Sequence, residues 1–196
     1  KLLADRRHST PVERAIFSMV ANRALAPSSK LAVEDWVDRV ALPGVEEISV
    51  HNLYRAMDFL LEAQEEIQRE VFFSCANLLN LEVDLIFFDT TSVYFETEEE
   101  DEDSGDEPGL RKRGYSRDKR PDLPQAVVGL AVTREGIPVR CWTWPGNTMD
   151  MGVIKEVKDA LAGWRLSRVV TVTDRGFASE DNLRYLQRGG GHYICG

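Results

Sequence analysis

Cysteine and histidine are scarce in this chain, with three of each in 196 residues. Cys75, Cys141 and Cys195 are odd in number and far apart, which argues against a disulfide framework or a zinc knuckle. His8, His51 and His192 are equally isolated and read as ordinary polar positions. A reducing, cytoplasmic setting is the expectation. No run approaches the roughly 18 apolar residues of a membrane span, and the opening KLLADRRHST has too little apolar length for a signal peptide. An initiator Met is missing and HYICG stops on a strand-like run, so the chain reads as an excerpt of a longer protein. Internal repeats are also missing.

What is there in excess is charge, and it is localised. The net charge is −9, and the run ETEEEDEDSGDE from 96 to 107 holds nine acidic residues and no basic one, so the rest of the chain is neutral. Just beyond it, RKRGYSRDKR from 111 to 120 holds six basic residues against one acidic. Taken alone, the acidic run is solvated chain. The abrupt change of sign suggests more: a basic loop that tracks phosphates beside a catalytic face, with the acidic tract as competitor or spacer. A calcium loop in EDEDSGDE fails on spacing, because its fifth position is Gly105 and the required Gly does not follow. The thirty residues from 96 to 125 carry no clear secondary structure, which suggests disorder or a DNA-gated segment.

Residues 1 to 80 read as a small helical domain. Thr10, Pro11 and Glu13 form a capping box for the first helix, with Val12, Ala15, Ile16, Met19 and Val20 on one stripe. A second helix carries Val33, Trp36, Val37 and Val40. Ser49 caps a third, with Leu53, Met57, Leu60 and Leu61 inward, and the pattern continues through Ile67, Val71, Cys75 and Leu78. Such helices suit a helix-turn-helix DNA reader, or equally a dimerisation module. The nine basic and twelve acidic residues of this region do not favour DNA.

After residue 81 the period changes. VDLIFFDTTSVYF, AVVGLAVT (126 to 133) and IPVRCWTWPG (137 to 146) read as three strands, the last two joined by a tight hairpin at REG. A helix begins at Thr148 or Asp150, with Val153, Ile154, Val157 and Leu161 inward. RVVTVTD from 168 to 174 reads as a strand buried on both faces. Ser179 caps a further helix, and HYIC opens a fifth strand. The fold class is therefore α/β: an antiparallel meander, then parallel strands with helices. Asp89 and Asp174 each close an apolar strand. Aspartate is an ordinary turn and cap residue, but a crossover that returns the fourth strand beside the first brings both carboxylates to one edge of the sheet.

FFDTTSVYFE, GYSRDKRPDLPQ, VGLAVTREGIPVRCWTWPGNT and VTDRGFAS, in that order, resemble the insertion-sequence transposases of the DDE type. APSSKLAVEDWV and LYRAMDFL extend the resemblance into the helical part. It implies a mixed five-stranded, ribonuclease H-like catalytic core over 81–196, preceded by the helical domain. It also implies metal-dependent cleavage and strand transfer on double-stranded DNA, at transposon ends and target, by a homo-oligomer in the nucleoid. Asp89 and Asp174 are then the first two members of an Asp-Asp-Glu triad that binds Mg²⁺, or Mn²⁺ as a substitute. Asp89 would bridge two ions roughly 3.5–4 Å apart and Asp174 would bind one. The third member, a Glu within a Tyr-x2-Arg-x3-Glu-x6-Lys signature, does not occur here; Glu180 comes only six residues after Asp174.

Arg111, Lys112, Arg113, Arg117, Lys119 and Arg120 are candidates for the DNA backbone. Arg175 is another, or else the partner of a surface acid. Trp142 and Trp144 share one side of their strand and read as core rather than base-stacking residues. Two alternatives stand beside this reading. One is a transposase remnant that binds DNA or protein without cutting. The other is a haloacid dehalogenase-like phosphatase, which wants a second Asp where the chain has Thr91.

Overall fold

The computed structural model describes residues 11–105, 107–164, 166 and 169–196. Thr10, the expected first cap, lies outside them. The chain divides into two compact units after Ile67.

The first unit is helical: α1 (Val12–Leu25), α2 (Lys30–Val37) and α3 (Val50–Glu62). Ser49 caps α3 by accepting the Asn52 N–H, while the Asn52 side chain accepts the Ser49 N–H, so Asn fills the place of the usual Glu or Gln in a capping box. The buried stripe differs from the one drawn through the bulkiest residues. Leu53, Ala56 and Phe59 face in, while Leu61 is exposed and Met57 largely so. In α1, Ser18 and Asn22 are buried with Val12, Ala15 and Met19, and Val20 is exposed. Ser18 tolerates burial because its hydroxyl donates to the Arg14 carbonyl at 2.9 Å.

α4 (Gln64–Leu78) leads into the second unit. Only Phe72 is buried along it; Val71 and Leu78 are exposed, contrary to the expected stripe. There follow β1 (Leu85–Tyr94), β2 (Gln125–Thr133), β3 (Pro138–Pro145), α5 (Asp150–Gly163), β4 (Val170–Thr173), α6 (Glu180–Gln187) and β5 (His192–Cys195). The sheet order is β3-β2-β1-β4-β5. β1–β2 and β2–β3 pair antiparallel; β1–β4 and β4–β5 pair parallel. This is the mixed five-stranded arrangement of a ribonuclease H-like sheet. The hairpin between β2 and β3 turns on Gly136, whose φ of 80° suits a residue without Cβ. β4 is shorter than expected and only half-buried along most of its length.

One face of β1 supplies the core. Ile86 and Phe88 are buried, and Val153, Ile154, Val157 and Leu161 of α5 belong to the same cluster. Phe88 meets Trp142 edge-on with centroids 5.8 Å apart, and Phe177 at 5.3 Å. Trp142 and Trp144 stack at 6.3 Å, both buried, which places them in the core as expected.

Candidate active site

Asp89 sits in the middle of β1, not at its end, because the strand continues to Tyr94 along β2. What ends there is the other neighbour. The last β1–β4 pair is Phe87 with Val172, and Asp89 and Asp174 each lie two residues beyond it. Parallel strands in constant register therefore carry both aspartates to the same level of the sheet. β4 stops at Thr173, and Asp174 caps the single 3₁₀ turn Arg175–Phe177 by accepting the Gly176 N–H at 2.8 Å. Asp89 accepts the N–H of Thr90 at 2.7 Å. Both aspartates are exposed.

A third carboxylate, missed in the sequence, belongs here. Asp150 opens α5, where an acidic residue is ordinary because it complements the helix dipole. In the fold its Oδ1 accepts the hydroxyl of buried Thr90 at 2.6 Å. A methyl group placed on Gly176 would lie 3.0 Å from Asp174 Oδ1 and 3.6 Å from Asp150 Oδ2, so these two carboxylates face one small space.

Arg117 reaches into the same place from the basic loop. Its Nη2 donates to Asp150 Oδ2 at 3.1 Å and to Thr90 Oγ1 at 2.9 Å, and its Nη1 lies 3.7 Å from Asp89 Oδ1. Among the described residues, no three His, Cys, Asp or Glu side chains converge as a metal-binding group. The donor chemistry nevertheless suits Mg²⁺, which takes hard oxygens and commonly binds one or two carboxylates with water and phosphate filling the rest. Glu180 is paired on its own helix with Arg184 at 2.8 Å.

No protein-family model and no curated protein matches the chain. Solved structures do. One is a Mos1 transposase paired-end complex with the left transposon end: TM-score 0.38, 11% identity, 96% of this chain and 61% of that one. Another is a piggyBac transposase synaptic complex with hairpin DNA: TM-score 0.46, 14% identity, 99% of this chain and 45% of that one. A Mos1 mariner paired-end complex with Mn is similar at TM-score 0.37 and 9% identity, over 96% of this chain and 61% of that one. The chain thus spans less than two thirds of the length of each. Scores this low leave the chemistry to the residues themselves.

Three of the remaining basic candidates, Arg111, Lys112 and Arg113, are engaged by the acidic tract, which forms a defined arm. Lys112 and Gln125 exchange backbone hydrogen bonds of 3.1 and 3.0 Å, joining the arm to the start of β2. Gly146 lies under this contact, where an added Cβ would come within 2.1 Å of the Lys112 and Gln125 carbonyls. Asp101 takes the Arg111 guanidinium at 2.5 Å and its backbone N–H at 2.9 Å. Asp103 takes Lys112 at 2.8 Å. Glu100 accepts the Arg113 N–H at 2.6 Å and lies 3.6 Å from its guanidinium. Arg120 pairs with Asp122 at 2.8 Å, while Lys119 and Arg175 are exposed.

These pairings lower the pKa values of two acids of the arm. The Arg111 side-chain hydrogen bond, with help from its backbone N–H, holds Asp101 below its ordinary value, and Lys112 does the same for Asp103. Because the folded values are depressed, the arm's pairing is fully present above the ordinary carboxylate value. It is lost as pH falls through the lowered ones. Carboxyl-carbon NMR titration should place both residues below 3.8. Titration at or above that value would mean that the pairs do not form in solution.

Across the described residues, no helix is long and apolar enough to cross a membrane.

Proposed function

We propose that residues 68–196 form the core of a divalent-cation-dependent DNA phosphoryl transferase of the DDE transposase type, acting on double-stranded transposon ends and target DNA. The observation that supports it most is the register: Asp89 and Asp174 stand at one level of adjacent parallel strands, beside Asp150. Asp89 and Asp174 would hold Mg²⁺ or Mn²⁺, which when bound stabilises the attacking and leaving oxygens at phosphorus. Thr90 fixes Asp150 against the strand that carries Asp89. Exposure of both aspartates leaves room for a phosphodiester and its attacking water or 3′-hydroxyl. Arg111, Lys112, Arg113, Lys119, Arg120 and Arg175 would run along the DNA backbone, with the acidic arm competing for the first three. The helical unit would contribute DNA binding or dimerisation to a homo-oligomer assembled on DNA.

A second reading is DNA binding without cleavage. It is favoured by the failure of three carboxylates to converge on one point among the described residues.

Titration with Mn²⁺, followed by the loss of the free-ion paramagnetic resonance signal, separates the two. Asp89→Asn and Asp174→Asn should each weaken binding by more than about tenfold, since even groups that only support a ligand cost that much. Equal Mn²⁺ affinity in the wild type and both variants would leave only the DNA-binding reading.

A further inference from the structure

Arg117 does something that a backbone-tracking arginine does not. Its guanidinium, still partly exposed, lies between two carboxylates of the candidate site, 3.1 Å from Asp150 and 3.7 Å from Asp89. Thr90 completes the contact, donating to Asp150 and accepting from Arg117. The loop is held in this pose by the Arg117 N–H, which donates to Ser92 Oγ at 3.2 Å, and by the Gln125 side chain on the Tyr115 carbonyl at 2.8 Å. The carboxylates are thus arranged around a guanidinium rather than around a point.

We propose that Arg117 is the site's built-in counter-cation. It neutralises and positions Asp89 and Asp150 before an ion enters, competes with that ion for Asp89, and moves onto Asp150 once the ion is bound. The inference rests on the reading of Asp89 and Asp174 as divalent-cation ligands. Three physical points carry it. Neighbouring carboxylates without a compensating charge repel one another, so a cation between them stabilises the empty site. A divalent ion on Asp89 would lie only a few ångströms from a guanidinium at its observed place, and two cations at that range repel strongly. Finally, there is room for the move: Arg117, Asp150, Thr90 and Tyr115 line a cavity of about 310 Å³.

The sign of the expected effect separates this role from a structural one. A merely structural arginine, once removed, would loosen the site and weaken ion binding. A competing counter-cation, once removed, leaves Asp89 free and strengthens it. Mn²⁺ affinity, measured by paramagnetic resonance on the whole chain without DNA, should therefore rise about two- to fivefold in Arg117→Ala and Arg117→Gln, as expected for the loss of one partly exposed charge. Arg117→Lys, which keeps the charge but not the fork, should fall between these and the wild type. In melting curves, the two neutral variants should unfold at lower temperature than wild type without Mn²⁺. They should also gain more from saturating Mn²⁺ than wild type does. If Arg117→Ala does not fold, Arg117→Gln carries the same comparison with most of the side-chain volume kept. Affinity that is unchanged or weaker in the neutral variants, with binding still dependent on Asp89, overturns the counter-cation role alone. Absence of Mn²⁺ binding by the wild type overturns it together with the metal-site reading.

Discussion

Glu100→Gln, Asp101→Asn and Asp103→Asn combined should raise affinity for duplex DNA about ten- to a hundredfold near 0.1 M salt. The plot of log K against log salt should also steepen by up to about three. The three acids hold Arg111, Lys112 and Arg113, each within salt-bridge distance. A guanidinium or ammonium already paired with a carboxylate releases little when a phosphate replaces that partner, because one anion is exchanged for another. Freed of the acid, each side chain adds a phosphate contact that displaces a condensed counterion, and the salt slope counts such contacts. The triple change also removes three negative charges from the approach path of the DNA. Fluorescence anisotropy with a labelled duplex at several salt concentrations measures both quantities. Affinity and slope equal to the parent's would sink the idea that the arm competes with DNA.

Phe88→Ala should cost roughly 3–5 kcal/mol of stability, the range for emptying a buried aromatic position. Phe88 is 2% exposed and touches Trp142 and Phe177 edge-on, so its removal leaves a cavity and also forfeits two aromatic contacts. Phe177 belongs to the 3₁₀ turn that Asp174 caps. The same ring therefore underlies both candidate ligands, one through its chain neighbour Asp89 and one through Phe177. Chemical denaturation gives the loss directly; a change below about 1 kcal/mol would mean that the core closes over the gap.

The second unit was largely legible in the sequence because strand periodicity, the REG hairpin and the inward face of α5 are local signals that agree with one another. Val153, Ile154, Val157 and Leu161 are all buried as expected. The helices of the first unit were harder. Bulk does not mark their inner stripes, because a helix buries whatever lies at the right angle: Ala56 goes in and Leu61 stays out. At the candidate site, Asp89 and Asp174 stood out because each ends an apolar run. Asp150 did not, since a first-turn aspartate needs no further explanation. Its contact with Thr90 spans sixty residues, and nothing local announces it. The direction of Arg117 was hidden for a similar reason. A cluster of basic residues shows how much charge is present, not which side chain turns inward.

The alternation along β1 restricts how this protein can vary in length. Ile86, Phe88, Thr90 and Ser92 are buried while Phe87, Asp89, Thr91 and Val93 are exposed. Deleting or inserting one residue before Asp89 would exchange the two sets, turning the carboxylate toward the core and the Phe88 ring toward water. It would also move Asp89 out of step with Asp174 across the parallel pair. The arm from 96 to 125 has no such constraint near its acidic tip, where Gly105 has open space around it. Natural relatives of this chain should therefore differ freely in the number of residues around 104 to 108, and hardly ever between Leu85 and Asp89.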